Sequence, residues 1–170
     1  RELVEAFARL TATRPAARLL LVGCEPAPVR AAVAAAAAVL GVADRVCLLG
    51  YRRDMPAVLA ACDVVVDASW AGTGITGTVR EAMAMARPVV ASDVGGNREL
   101  VADGVVGRLV PPREPAALAR ALAELLDDRG RRLAWGEAGR RRVVEGFSTD
   151  RRLDRLEALY RRLVAATRRP

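Results

Sequence analysis

The sequence predicts an α/β domain built on a doubly wound parallel sheet, and three observations carry that prediction. Five short apolar runs alternate with longer stretches of helical periodicity. The runs are continuous rather than alternating in polarity, as in strands buried on both faces. The chain has 170 residues, 52% of them apolar, which suffices for one domain with a sizeable core.

The elements follow in order. "RELVEAFARL" predicts an amphipathic helix over about 2–12. A domain of this class ordinarily starts on a strand, so the chain reads as truncated at its N-terminus, with the first strand missing. "RLLLVG" (18–23) is the first predicted strand, followed by an Ala-rich helix over 27–40 whose small side chains suit close packing on a sheet. "RVCLLG" (45–50), "DVVVDAS" (63–69), "RPVVAS" (87–92) and "GRLV" (107–110) are the remaining strands. Helices are predicted between and after them at 55–61, 77–86, 96–102 and 115–127, and the crossovers should be right-handed. Two helices end the chain. The first, 129–147, has Leu133, Trp135, Ala138, Val143 and Val144 on an approximate stripe. The second, 148–167, starts at Ser148 as N-cap and keeps Leu153, Leu156, Leu159, Tyr160, Leu163 and Val164 at helical spacing.

Missing residue types exclude several chemistries. The 27 basic residues are all Arg, and there is no His. Without His there is no Ser–His or Cys–His nucleophile pair and no His general base in this chain. Without Lys there is no Walker-type phosphate lysine and no Schiff base. Cys24, Cys47 and Cys62 are too scattered for a zinc set and read as buried free thiols of a reducing, cytoplasmic setting. No apolar stretch reaches membrane-spanning length, and none opens the chain as a signal peptide.

Charge is segregated. The net charge is +7, and residues 129–170 hold 13 Arg against five acids. The bland reading of that tail is a solvated helix face with pairs among Asp150, Asp154 and Arg155. Only Phe147 and Tyr160 lie nearby, which argues against nucleic acid. Peripheral contact with anionic lipid at the inner face of a membrane is the next reading.

The stretch "AGTGITGTVREAMA" (71–84) contains G-x-G-x-x-G at Gly72, Gly74 and Gly77. As a dinucleotide motif it fails on context: Trp70 and Ala71 separate it from the strand, and the unit is not the first of the domain. Asp93, at the distance expected of a ribose acid, runs straight into the turn "VGGN" and reads as a turn or cap residue. The same backbone chemistry still suits another phosphate-bearing ligand, since strand-end loops offer N–H groups at helix starts. Loops 23–28, 50–54, 69–78 and 92–97 all have suitable residue types, and Thr73, Thr76 and Thr78 add hydroxyls.

The run from "LLLVGCEP" through "GVADRVCLLGYRRDMPAVLAACDVVVDAS" to "REAMAMARPVVASDVGGNRELVADGVVGRLVPP" resembles the C-terminal, donor-binding domain of retaining GT-B-fold glycosyltransferases. The resemblance spans about 2–165. It implies a Rossmann-like domain over 1–147 that binds a nucleoside-diphosphate sugar. Residues 148–170 would then pack on it or cross to an N-terminal acceptor domain absent from this chain. By the same resemblance Glu81 is the second Glu of the family's Glu-x7-Glu signature and bonds the nucleotide ribose. Thr73 stands where the family has the first Glu, which contacts the donor sugar. Gly74, Ile75, Thr76, Gly77 and Thr78 would hold the diphosphate and sugar, Gly50, Tyr51 and Arg52 the base, and Gly23 the turn beside the nucleotide. Arg80 and Arg98 are further diphosphate candidates, though a solvated role suits each. No cofactor and no metal is implied in this domain. The isolated chain, lacking the family's diphosphate clamp, should bind nucleotide weakly and not turn over. Two alternatives stand beside transfer of a hexosyl group: a GT-B-fold sugar-nucleotide epimerase, and a nucleotide-binding module whose catalysis has decayed at Thr73.

Overall fold

The structure, a computed structural model, describes residues 1–23, 27–72 and 74–167. Its elements run α1 (Glu2–Thr11), β1 (Leu19–Val22), α2 (Ala27–Val39), β2 (Val46–Gly50), α3 (Met55–Ala60), β3 (Val65–Asp67), α4 (Gly77–Ala84), β4 (Val89–Ser92), α5 (Asn97–Leu100), β5 (Gly107–Val110), α6 (Pro115–Asp127), α7 (Arg129–Gly146) and α8 (Thr149–Thr167). Every predicted strand and helix is present, with ends shifted by a residue or two, as caps and fraying ordinarily allow.

All strand pairings are parallel. The hydrogen-bonded order is β1-β2 in one sheet and β3-β4-β5 in another, rather than one continuous sheet. Among the described residues β1 and β3 each pair on one side only. Both sheets nevertheless share an apolar layer: Val4, Phe7 and Leu10 of α1 and Leu118, Leu122 and Leu125 of α6 pack with Leu19, Val46, Val66 and Val90. The opposite face of the three-stranded sheet is covered by α3, α4, α5 and α7 through Leu59, Val79, Met83, Leu100 and Val143, against Val65, Val89 and Ala91. Val90 on one layer and Val89 and Ala91 on the other are the two-faced burial that the continuous runs predicted.

Several expectations need correcting. The Ala-rich α2 meets the core only through Val33, Ala36 and Ala37 and is otherwise largely exposed. Cys47 is exposed because β2 alternates between a covered and an open face, and Cys62, just after α3, is only half-buried; Cys24 lies outside the described residues. On α8 the apolar stripe, from Leu153 to Val164, faces solvent. Ser148 accepts from the Arg151 N–H as the predicted cap. Among the described residues of α8 an ion pair joins Arg161 and Glu157, one turn apart, rather than Asp150, Asp154 and Arg155.

Helix α4 is fixed from behind. It ends with Ala86 in the left-handed region (φ 53°), with Arg87 N–H bonded to Ala82 O and Ala86 N–H to Met83 O. The Ala86 carbonyl then points at Gly136 of α7, where a Cβ would collide with it, and Gly139 lies against Met83. These two glycines bring α7 onto α4.

A buried polar cluster ties β3, β4 and α5 together. Asn97, 1% exposed, donates to Ser92 O at 3.0 Å and to Asp67 Oδ2 at 3.4 Å, and accepts from the Thr76 hydroxyl at 3.0 Å. Asp67 also accepts from Ser69 N–H at 2.9 Å. Burial pushes the Asp67 carboxyl up, but the hydrogen bonds it accepts, led by those from Ser69, outweigh it and leave it below its ordinary value of 3.8.

Two stability measurements follow. Gly136→Ala should destabilise by about 1–3 kcal/mol in chemical denaturation, despite the gain in helix propensity, because the new methyl overpacks on Ala86. Gly146→Ala, with open space at the Cβ position, should stay within about 1 kcal/mol of the parent. Asp67, with its folded pKa depressed, contributes stability that is present above the ordinary carboxylate pKa and lost as pH falls through the lower folded value. Asp67→Asn should therefore cost roughly 1–3 kcal/mol at neutral pH and flatten the acid limb of the stability profile below about pH 4.

Candidate functional site

The candidate residues collect at the carboxyl ends of the strands in two groups. At the ends of β1 and β2, Gly23 (φ 72°) and Gly50 (φ 64°) both occupy the left-handed region that favours glycine. The Gly23 N–H donates to the Gly50 carbonyl at 2.8 Å, so the two turns form one unit. Tyr51 follows with 72% of its surface exposed. Arg52 does not point freely outward: its guanidinium makes two hydrogen bonds, 2.8 and 2.6 Å, to Asp54 before α3. That pairing raises the Arg52 pKa and lowers that of Asp54. The backbone of this loop is thereby left as the surface a ligand would meet, with Tyr51 beside it.

The second group lies between β3 and α4. The loop that carries Gly72, Gly74, Ile75 and Thr76 rests on a neighbouring turn made by Gly95 and Gly96. A Cβ on Gly95 would collide with the Gly72 carbonyl, and one on Gly96 with the backbone of Gly74 and Ile75. Gly95 is also left-handed, at φ 42°. The contact is therefore backbone against backbone, which only a pair of glycines allows. Thr76, the residue before α4, is held by its bond to Asn97. Gly77, Thr78 and Glu81 lie exposed along the start of α4. The Glu81 carboxylate folds back over that first turn, with Oε1 3.8 Å from the Cβ position of Gly77.

Chemically, this is a helix N-terminus whose unpaired N–H groups open to solvent, with one carboxylate beside them. The N–H groups and the positive end of the helix dipole suit a polyanion. The carboxylate offers two acceptors to a diol. Of the sequence-predicted residues, the structure gathers Gly74, Ile75, Thr76, Gly77, Thr78 and Glu81 on one loop and helix start, and Gly23, Gly50, Tyr51 and Arg52 on the other loop. Thr73 lies outside the described residues. Arg98 is engaged with Asp93 in an exposed ion pair, and Asp93 is the turn residue that its sequence context implied. Sequence reasoning did not single out Gly95, Gly96, Asn97 or Asp67. "VGGN" held the only signal, since adjacent glycines mark a close backbone approach.

Among the described residues no helix is long and apolar enough to cross a membrane.

Comparison with known proteins bears on the family and the fold. Residues 1–128 match the family described as glycosyl transferases group 1. A D-inositol 3-phosphate glycosyltransferase of Salinispora tropica is 41% identical over 134 residues, 78% of this chain and 27% of its own length. The chain thus spans about a quarter of that curated relative. HepE of Anabaena, crystallised with UDP, superposes with a TM-score of 0.86 at 29% identity, over 94% of this chain and 44% of HepE. A third similarity, at 23% identity and therefore informative about fold alone, is to the C-terminal domain of a group 1 glycosyl transferase from Francisella tularensis. It has a TM-score of 0.78 and covers 87% of this chain and 78% of that one. The chain belongs to the glycosyl transferases group 1 family, and its fold is that of such a C-terminal domain.

Proposed function

We propose that this chain is the donor-binding part of a retaining glycosyltransferase that moves a hexosyl group from a nucleoside-diphosphate sugar to an acceptor. One observation carries the reading: the glycine loop is seated on Gly95 and Gly96 so that it delivers the start of α4 and the Glu81 carboxylate to one place. The relative HepE holds UDP, which supports a nucleotide here.

In this reading the N–H groups from Gly74 to Thr78 hold the diphosphate and the sugar. Glu81 accepts hydrogen bonds from the ribose hydroxyls. Gly50, Tyr51 and Arg52 border the base, chiefly through backbone, and Gly23 lines the turn beside it. Transfer proceeds by departure of the nucleoside diphosphate, so donors aimed at the leaving oxygens stabilise the charge that develops there. No metal in this domain takes part. By the family resemblance, Thr73 takes the place of the Glu that contacts the donor sugar. The acceptor site belongs chiefly to polypeptide beyond this chain, in keeping with the larger size of the relatives. Alone, the chain binds nucleotide weakly and does not turn over. The protein is cytoplasmic. The Arg-rich α7 and α8 are a solvated face, and lipid contact there would appear as salt-sensitive sedimentation with anionic vesicles.

The test is titration of UDP, GDP and ADP by calorimetry on the chain and on Glu81→Ala. One of the three should bind preferentially, and loss of a charged hydrogen-bond acceptor should weaken it roughly 10- to 100-fold. Equal affinity in parent and variant would remove Glu81 from the site. Turnover in a panel of donors and acceptors by the chain alone would contradict the assignment of an incomplete enzyme. In the full-length protein, Thr73→Glu separates a working site from a decayed one: impairment means that Thr73 serves the reaction, and gain from nothing means lost catalysis.

A further inference from the structure

The loop that carries the glycines also carries an aromatic ring with no role in the reading above. Trp70 follows Ser69 at the carboxyl end of β3 and is 63% exposed. It is not an isolated surface residue. The guanidinium carbon of Arg113 lies 4.8 Å from the centroid of the ring. Arg113 belongs to the turn between β5 and α6, and its φ of 61° puts a non-glycine residue in the left-handed region. Such a conformation persists only where the surroundings hold it, and it recurs at ligand clamps. Because β4 lies between β3 and β5 in the sheet, this pair spans the carboxyl end of β4. That end of a parallel α/β sheet is where ligands bind.

The pair therefore has a fixed side and an open side. Arg113 covers one face of the indole, and the large remaining exposure leaves ring surface free beside the loop of Gly72 and Gly74. The electron-rich face of an indole attracts C–H groups that carry slight positive charge, and its N–H is a donor. A pyranose presents such C–H groups on one face and hydroxyls at its rim. The Arg113 guanidinium adds further donors at the ring edge.

We propose that Trp70, clamped by Arg113, is a stacking platform for a pyranose ring at the mouth of the site. This rests on the assignment of a sugar-nucleotide ligand. The shared chemistry is a sugar ring, supplied by the donor or by the acceptor.

Tryptophan emission tests it, since the chain holds only Trp70 and Trp135 and a parallel Trp70→Phe titration isolates the Trp70 signal. The probes are UDP, then UDP-glucose, UDP-galactose and GDP-mannose, and finally the matching methyl glycosides added over saturating UDP or GDP, with calorimetry alongside. The expected result is no change with the free nucleotide and a clear change once a sugar is present. A response to a nucleotide sugar assigns the donor ring, and one to a glycoside over nucleotide assigns the acceptor ring. Trp70→Ala should weaken the sugar-dependent step about three- to tenfold, with nucleotide affinity unchanged and most of the loss restored in Trp70→Phe. Emission that moves fully with the nucleotide alone overturns the platform, as does emission unmoved by every sugar while calorimetry records nucleotide binding. Absence of any nucleotide binding overturns the sugar-nucleotide reading and the platform with it.

Discussion

The candidate site depends on one steric fact: the backbone of Gly72, Gly74 and Ile75 lies directly against the backbone of Gly95 and Gly96. Any side chain at either glycine would lift the loop away from the sheet. The contact fixes where the loop ends and hence where α4 begins. Helix α4 in turn supplies the N–H groups and places Glu81. Behind it, Gly136 and Gly139 of α7 repeat the device, letting a second helix approach until it meets Ala86 and Met83. The helix that carries the candidate groups is thus gripped at both sides by contacts that only missing side chains permit.

The buried cluster beside this seat makes the geometry unique rather than merely compact. Asn97 has both ends of its amide used, one toward Ser92 and Asp67 and one toward Thr76. An amide so satisfied specifies one position for three segments at once, and a shifted loop would leave a buried donor or acceptor unpaired. The hydroxyl of Thr76 is the link from this network to the first turn of α4.

The fold was legible in the sequence because its causes are local and periodic. Val64 to Val66 and Val89 to Ala91 announce buried strands by uninterrupted apolarity, and helical spacing marks α1 and α6 equally well. Part of the candidate site was legible too, since glycines and threonines after a strand offer N–H and hydroxyl donors to a polyanion, while Glu81 was marked by the family resemblance. What could not be read depends on which residues meet across the sheet. Nothing local says that Gly95 will face Gly72, that Asn97 will reach Asp67 thirty residues away, or that Arg113 will lie over Trp70. The misplacement of Cys47 and of α2 has the same origin. An apolar or alanine-rich segment states its capacity for burial, while the covering partner decides whether burial occurs.

The double grip on α4 carries a mechanical consequence. Its contacts with Gly95 and Gly96 through the loop, and with Gly136 and Gly139 of α7, are steric and leave no slack. Close-packed contacts transmit strain rather than absorb it. A ligand that pressed on the glycine loop would therefore act on α7 as well as on α4.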